Sequence, residues 1–145
     1  MNISDILRHK DDTARGGVVT IAPATTVAEL AVTLTEHRIG AVVVLDDDAV
    51  AGIVSERDVV RHLAEHGAEG LGSLVSQIMT TSVVSCAPGD PVGDIAATMT
   101  ERRVRHMPVL DDGRLVGIVS IGDVVSSRIR QLEKDRGQLE QYIAG

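Results

Sequence analysis

The sequence predicts an α+β, sandwich-like fold: two β-α-β-β-α repeats packed sheet to sheet with pseudo-twofold symmetry, plus an extended C-terminal helix. Three observations predict it. First, Val18–Val60 lies over Val83–Val125 without a gap after a shift of 65 residues, with 21 of 43 positions identical. Self-similarity of this length marks a duplicated structural unit. Second, each copy alternates short apolar runs with segments whose apolar residues recur at helical spacing. Third, aromatic residues make up 1% of the chain, with one Tyr and no Phe or Trp. The core is therefore aliphatic and rich in β-branched side chains, which suits packed strands. One copy alone is too small to build a good core, so the two pack together.

Val18–Ile21 and Val83–Cys86 read as strands ended by Pro23 and Pro88. Thr26–His37 and Pro91–Arg102 read as helices, with Val27, Leu30, Ala31, Leu34 and Val92, Ile95, Ala96, Met99 on their apolar faces. Thr25 or Thr26 caps the first; Asp90 caps the second, with Pro91 as its first residue. Ala41–Leu45 and His106–Leu110 are middle strands. Asp46-Asp47-Asp48 and Asp111-Asp112-Gly113 are hairpin turns. Val50–Val54 and Leu115–Val119 return, and their unbroken apolar character predicts burial on both faces. A second helix closes each copy. Gly67–Gly72 is a linker and Ser73–Met79 a short helix leading into copy two, with Ser4–Leu7 as its counterpart before copy one. The division expected is 1–66 for the first repeat, 67–75 for the linker, 76–127 for the second repeat and 128–145 for a helical tail.

Composition removes several function classes. No apolar run approaches the roughly 18 residues of a membrane span. Met1–Lys10 carries no apolar leader segment, so neither export nor membrane insertion is expected. A lone cysteine, Cys86, fits a reducing, cytoplasmic setting and a buried structural thiol. A net charge of −7 without a basic cluster argues against nucleic acid as a partner.

Ser55-Glu56-Arg57-Asp58 and Ser120-Ile121-Gly122-Asp123 sit where a strand turns into a helix. Free backbone N–H groups and the positive dipole end make such a junction an anion site. A hydroxyl there donates to a phosphate, and a carboxylate one turn later accepts from ribose hydroxyls. The bland alternative is a capping box, because Ser-x-x-Asp is a common helix start. Duplication copies a cap as faithfully as a site, so the repeat alone does not choose.

The block Gly-Ile-Val-Ser-x-x-Asp-Val-Val, at Gly52–Val60 and Gly117–Val125, closes both copies. With the gapless repeat it resembles the cystathionine-β-synthase (CBS) domain present as a tandem pair, the Bateman module, over roughly Met1–Ser127. The resemblance implies that Ser55 and Asp58 serve one inter-repeat cleft and Ser120 and Asp123 the other, hydroxyl to phosphate and carboxylate to ribose. It further implies that the first strand of each unit flanks the base, here Val19 and Thr20 in Val19–Ile21, and Val84 and Ser85 in Val84–Cys86. Family members that bind adenine nucleotides often carry basic residues before the Pro of the middle strand. Arg105 and His106, before Pro108, match those positions. Copy one has Gly40, Ala41 and Val43 there, and Glu56 beside its hydroxyl repels phosphate, so the Asp123 cleft is expected to be the stronger site. Alternatively, Arg105 and His106 are solvated surface groups.

The implied function is a regulatory, non-enzymatic module sensing an adenosine-type nucleotide (AMP, ADP, ATP, NAD or S-adenosylmethionine, with AMP or ATP favoured) and requiring no cofactor. The alternative is a ligand-free scaffold or stress-response interaction protein with degenerate sites. His62-Leu63-Ala64-Glu65-His66 matches an inverted zinc-protease pattern, but no third acidic ligand is evident and a polar helix end is the expectation. Val125, Ile129, Leu132, Arg136, Leu139 and Ile143 form a heptad-like seam interrupted at Arg136-Gly137. So short a seam packs on its own domain or clasps a second subunit. A homodimer is expected, with a separate effector protein reading the signal.

Overall fold

The structure is a computed structural model and describes residues 1–13 and 18–144; Gly145, the last residue of the expected tail, lies outside them. The elements run α1 (Ile3–Thr13), β1 (Thr20–Ile21), α2 (Val27–His37), β2 (Ala41–Asp46), β3 (Ala49–Ser55), α3 (Glu56–His66), a 3-10 turn at Gly67–Gly72, α4 (Val75–Ile78), α5 (Val92–Arg102), β4 (His106–Asp111), β5 (Arg114–Ser120) and α6 (Ile121–Ala144). The predicted α+β pair of repeats is what forms. One sheet orders as β1-β2-β3, the other as β4-β5. Both hairpins pair in the same register, Ala41 with Ser55 and His106 with Ser120. Their turns use positive φ at Asp47 and Asp48, and at Asp112 and Gly113, as two-residue hairpins require.

Each core holds one repeat's helices and sheet, together with a segment that precedes the other repeat. Val27, Leu30, Leu34, Val42, Val44, Val54 and Val59 close around Val75 of α4. Val92, Ile95, Met99, Met107, Val109, Val119 and Val124 close around Ile3 and Ile6 of α1. Matching backbone bonds fix both insertions. Val75 N donates to Thr25 O at 2.8 Å and Ser76 N to Pro23 O at 3.1 Å; Ile3 N donates to Asp90 O at 3.0 Å and Ser4 N to Pro88 O at 2.9 Å. The motif glycines make room for this exchange. A Cβ on Gly52 would stand 2.7 Å from Met79 Sδ and 2.8 Å from the Thr80 carbonyl; one on Gly117 would stand 2.6 Å from Leu7 Cδ2.

Several local expectations change. The strand predicted over Val18–Ile21 shortens to Thr20–Ile21, and that over Val83–Cys86 to a single parallel bridge between Cys86 and Val109. In the first repeat Thr20 pairs with Val43; the second repeat has Pro108 at Val43's place, without an N–H to offer the ladder. Asp90 is not the cap of α5. Pro91 occupies that position with an extended ψ of 137°, and no side chain caps the helix. Asp90 instead accepts from Ala87 N at 2.8 Å, tightening the preceding turn. Thr26, by contrast, caps α2 in a reciprocal pair with Glu29.

The returning strands are not buried on both faces either. In β5, Gly117 and Val119 are buried while Val116 stays 42% exposed. Val116 and Ile118 turn into a cavity between the repeats, so this strand is apolar because one face serves the core and the other the cleft. The doubly buried stretch is in the middle strand, Ala41–Val44. The C-terminal seam does not fold back on its own domain: Val125, Ile129, Leu132, Leu139 and Ile143 are 50–76% exposed along one continuous helix.

Candidate functional site

Both Ser-x-x-Asp junctions form capping boxes. Ser55 N donates to Asp58 Oδ2 at 2.8 Å and Asp58 N to Ser55 Oγ at 3.3 Å. Ser120 N donates to Asp123 Oδ2 at 2.8 Å and Asp123 N to Ser120 Oγ at 3.1 Å. Capping and site-forming are nevertheless separable, because the two junctions differ in what they face. Ser120 and Asp123 line a cavity of about 530 Å³ between the repeats. Ser55 and Asp58 line neither it nor a second, more open cavity of about 460 Å³ between α2 and α3, where Glu56 lies.

The larger cavity draws on both repeats. α1 contributes Leu7 and Lys10; the segment before β1 contributes Val18 and Val19; the end of α2 and the start of β2 contribute Glu36 to Ala41. From the second repeat come His106 at the start of β4, Val116 to Ile118 on β5, and the Ser120/Asp123 junction. Arg38 reaches the rim because it closes α2 in the left-handed conformation, φ 54°. Cationic and imidazole groups (Lys10, His37, Arg38, His106) thus gather around two carboxylates, Glu36 and Asp123.

His106 is half-buried, and its Nε2 is 3.5 Å from where a Cβ on Gly40 would stand. A methyl group at Gly40 would therefore meet the imidazole only in ordinary van der Waals contact. Burial holds the His106 pKa below its ordinary value of 6.5; Asp123 and Glu56 pull it upward, while Lys10 and Arg105 push it further down. Lys10 reaches across from α1, donating to the Ile118 carbonyl at 2.7 Å and to Asp123 Oδ2 at 3.0 Å.

Of the residues predicted from sequence, the cavity brings together Ser120, Asp123, His106 and Val19. Thr20 lies in β1 behind Val19, and Val84 packs on the second core, its neighbour Ser85 exposed. None of the three lines either cavity. Arg105 is exposed and lines neither; its carbonyl accepts from Ile121 N at 2.8 Å and so anchors the start of α6. Sequence reading missed Lys10, Arg38 and the β5 face. Lys10 precedes the repeated segment, so the repeat gave no signal for it; the surplus of apolar residues at Val116 and Ile118 was the available sign of a second buried-type surface.

The other candidates behave structurally. Cys86 is buried, and burial with nearby Asp90 raises its thiol to about 11, the behaviour of an inert thiol. His62 Nε2 lies 2.8 Å from Ser73 Oγ, and the His62 and His66 rings stack with centroids 4.3 Å apart. Among the described residues no group of three or more His, Cys, Asp or Glu is placed to hold a metal, and no helix is long and apolar enough to cross a membrane.

Comparison with known proteins points one way. The CBS domain family matches the chain twice, over residues 3–65 and 75–130. A CBS-domain containing protein from Agrobacterium tumefaciens has a solved structure 45% identical, with TM-score 0.80, covering 88% of this chain and 99% of that one. A mitochondrial CBS domain-containing protein of Arabidopsis thaliana, CBSX3, is 33% identical over 99% of this chain and 72% of its own length. A CBS domain protein from Pyrobaculum aerophilum, solved complexed with AMP, is 26% identical with TM-score 0.72, covering 85% of this chain and 89% of that one.

Proposed function

The chain belongs to the CBS-domain family, as a tandem pair, and from that premise we propose that it is a regulatory module binding an adenosine-type nucleotide, AMP or ATP before NAD or S-adenosylmethionine, in the cleft at Asp123. One observation carries this reading: a cavity of about 530 Å³ between the repeats has Ser120 and Asp123 in its wall beside Lys10, Arg38 and His106. Its size suits a nucleotide-sized ligand. The start of α6 supplies N–H dipoles for a phosphate, the basic groups supply countercharge, and Asp123 supplies an acceptor for ribose hydroxyls. The apolar face of β5 and Val19 offer the base a dry surface. The AMP complex of the Pyrobaculum relative supports the ligand class.

At Asp58 the degenerate reading is favoured, since Ser55 and Asp58, which make the same cap as Ser120 and Asp123, line neither of the two cavities. We therefore assign one nucleotide per chain. The module is not a catalyst in this reading. Its ligand touches both repeats, so binding biases their relative arrangement by its differential affinity for the two arrangements. The exposed seam of α6 pairs with a second copy of the chain, and a separate effector protein reads the change. A buried sole cysteine suits a reducing compartment such as the cytoplasm.

Thermal unfolding with AMP, ADP, ATP, NAD and S-adenosylmethionine tests the proposal. A ligand at about 100 times its Kd stabilises by about 2.7 kcal/mol. That gain disappears in Asp123→Ala and survives in Asp58→Ala. No gain with any ligand would hand the chain to the scaffold reading; a gain kept in full by Asp123→Ala would move the site elsewhere.

A further inference from the structure

The leading helices of the two repeats are equivalent but unequal in length. Ile3, Ile6 and Leu7 take the places that Val75, Ile78 and Met79 take on the other side. Asp5 Oδ2 accepts from Asn2 N at 2.9 Å just as Gln77 Oε1 accepts from Leu74 N at 2.8 Å. α4 stops at Ile78, whereas α1 continues to Thr13. That continuation delivers Lys10 to Asp123; the corresponding position after α4 is Ser82, which carries no charge. Asp58 pairs instead with Arg61 of its own helix, at 3.5 Å, so a cation delivered by the leading helix is what distinguishes the Asp123 cleft from its pseudo-twofold mate.

Lys10 also stands where a ligand must compete. Asp123 Oδ2 already accepts from Ser120 N and from the Lys10 ammonium, and a ribose needs the same carboxylate. The pair is partly exposed, with side chains 37% and 23% accessible, so it is weak enough to exchange. The lysine stem is flexible and ends in a compact charge that suits phosphate as well as carboxylate.

We propose that Lys10 is a specificity-determining residue of this cleft: its ammonium holds the Asp123 carboxylate until ribose hydroxyls take it, then turns to the ligand's phosphate. The proposal rests on the nucleotide reading above. A nucleoside takes Asp123 from Lys10 and offers its ammonium no anion in exchange, although the Ile118 carbonyl still accepts from it; a nucleotide gives it a new anion. Lys10 thus favours nucleotides over nucleosides, which a merely structural ion pair does not.

Calorimetric titration of adenosine and of AMP into wild type, Lys10→Met and Lys10→Arg is the test. Lys10→Met binds adenosine about two- to fivefold tighter, the size of a released surface ion pair. It binds AMP about five- to tenfold weaker, having lost a charge-assisted phosphate contact. Lys10→Arg restores AMP binding, and it keeps the question decidable should Lys10→Met fold poorly. If adenosine and AMP shift in the same direction, or neither shifts, Lys10 has no such role while the nucleotide site stands. If the wild type binds neither ligand, the site and the role of Lys10 fall together.

Discussion

His106 lies between opposing charges. Burial disfavours its imidazolium, and Asp123 and Glu56 favour it, with burial the larger effect. The folded pKa is thus below the unfolded 6.5. Between the two values the unfolded chain binds a proton that the folded chain does not, so stability rises with pH through that window and is lost as pH falls below about 6.5. Melting temperatures from pH 5 to 7.5 should climb more steeply in wild type than in His106→Gln. A phosphate beside His106 favours its imidazolium, so AMP should raise its pKa; because the AMP phosphate itself takes up a proton at about pH 6, the ligand-induced melting shift should hold up better toward pH 5.5 in wild type than in His106→Gln. Gly40 belongs to the same argument, since a larger residue there would meet the ring.

Among elements, the exchanged leading helices set the tightest steric demand. Gly52 faces the Thr80 carbonyl, which is backbone and cannot rotate away; Gly117 faces the end of the Leu7 side chain, which can. Gly52→Ala should therefore lower stability by about 1–3 kcal/mol, the usual cost of overpacking, and Gly117→Ala by clearly less. Urea unfolding midpoints of the two variants give the comparison, and equal costs would count against this packing account. Caps behave likewise. Thr26→Ala should cost about 1 kcal/mol because Thr26 accepts from Glu29 N. Asp90→Ala should disturb the turn at Ala87 but leave the onset of α5 in place, which backbone chemical shifts would register. The periodicity of α2 and α5 made these helices legible, but not which residue capped them. Asp-Pro reads as cap and first turn, and only the backbone angles at Pro91 showed the cap to be the proline itself.

At the scale of the whole molecule, α6 presents Val125, Ile129, Leu132, Leu139 and Ile143 as an exposed apolar face. Leu132 is 67% exposed and Ile143 76%, an arrangement that a second copy would cover. Sedimentation should report a dimer for wild type and a shift toward monomer for Leu132→Glu, with helix content unchanged; a wild-type monomer at all concentrations would remove the paired-tail reading.

By itself the sequence determined the duplication, the order of helices and hairpin strands in each copy and the strand-to-helix junction at Ser120/Asp123, because these follow from local periodicity, turn chemistry and a motif repeated at constant spacing. Tertiary structure decided the rest. Only packing shows that α1 joins the second core and α4 the first, that this exchange brings Lys10 onto Asp123, and that Ser120 and Asp123 line the cavity beside Lys10 while Ser55 and Asp58 do not. The physical reason is that both junctions obey the same local hydrogen-bonding rules and look alike in sequence. Their difference comes from long-range contacts with segments outside the repeat, and linear spacing carries no record of those.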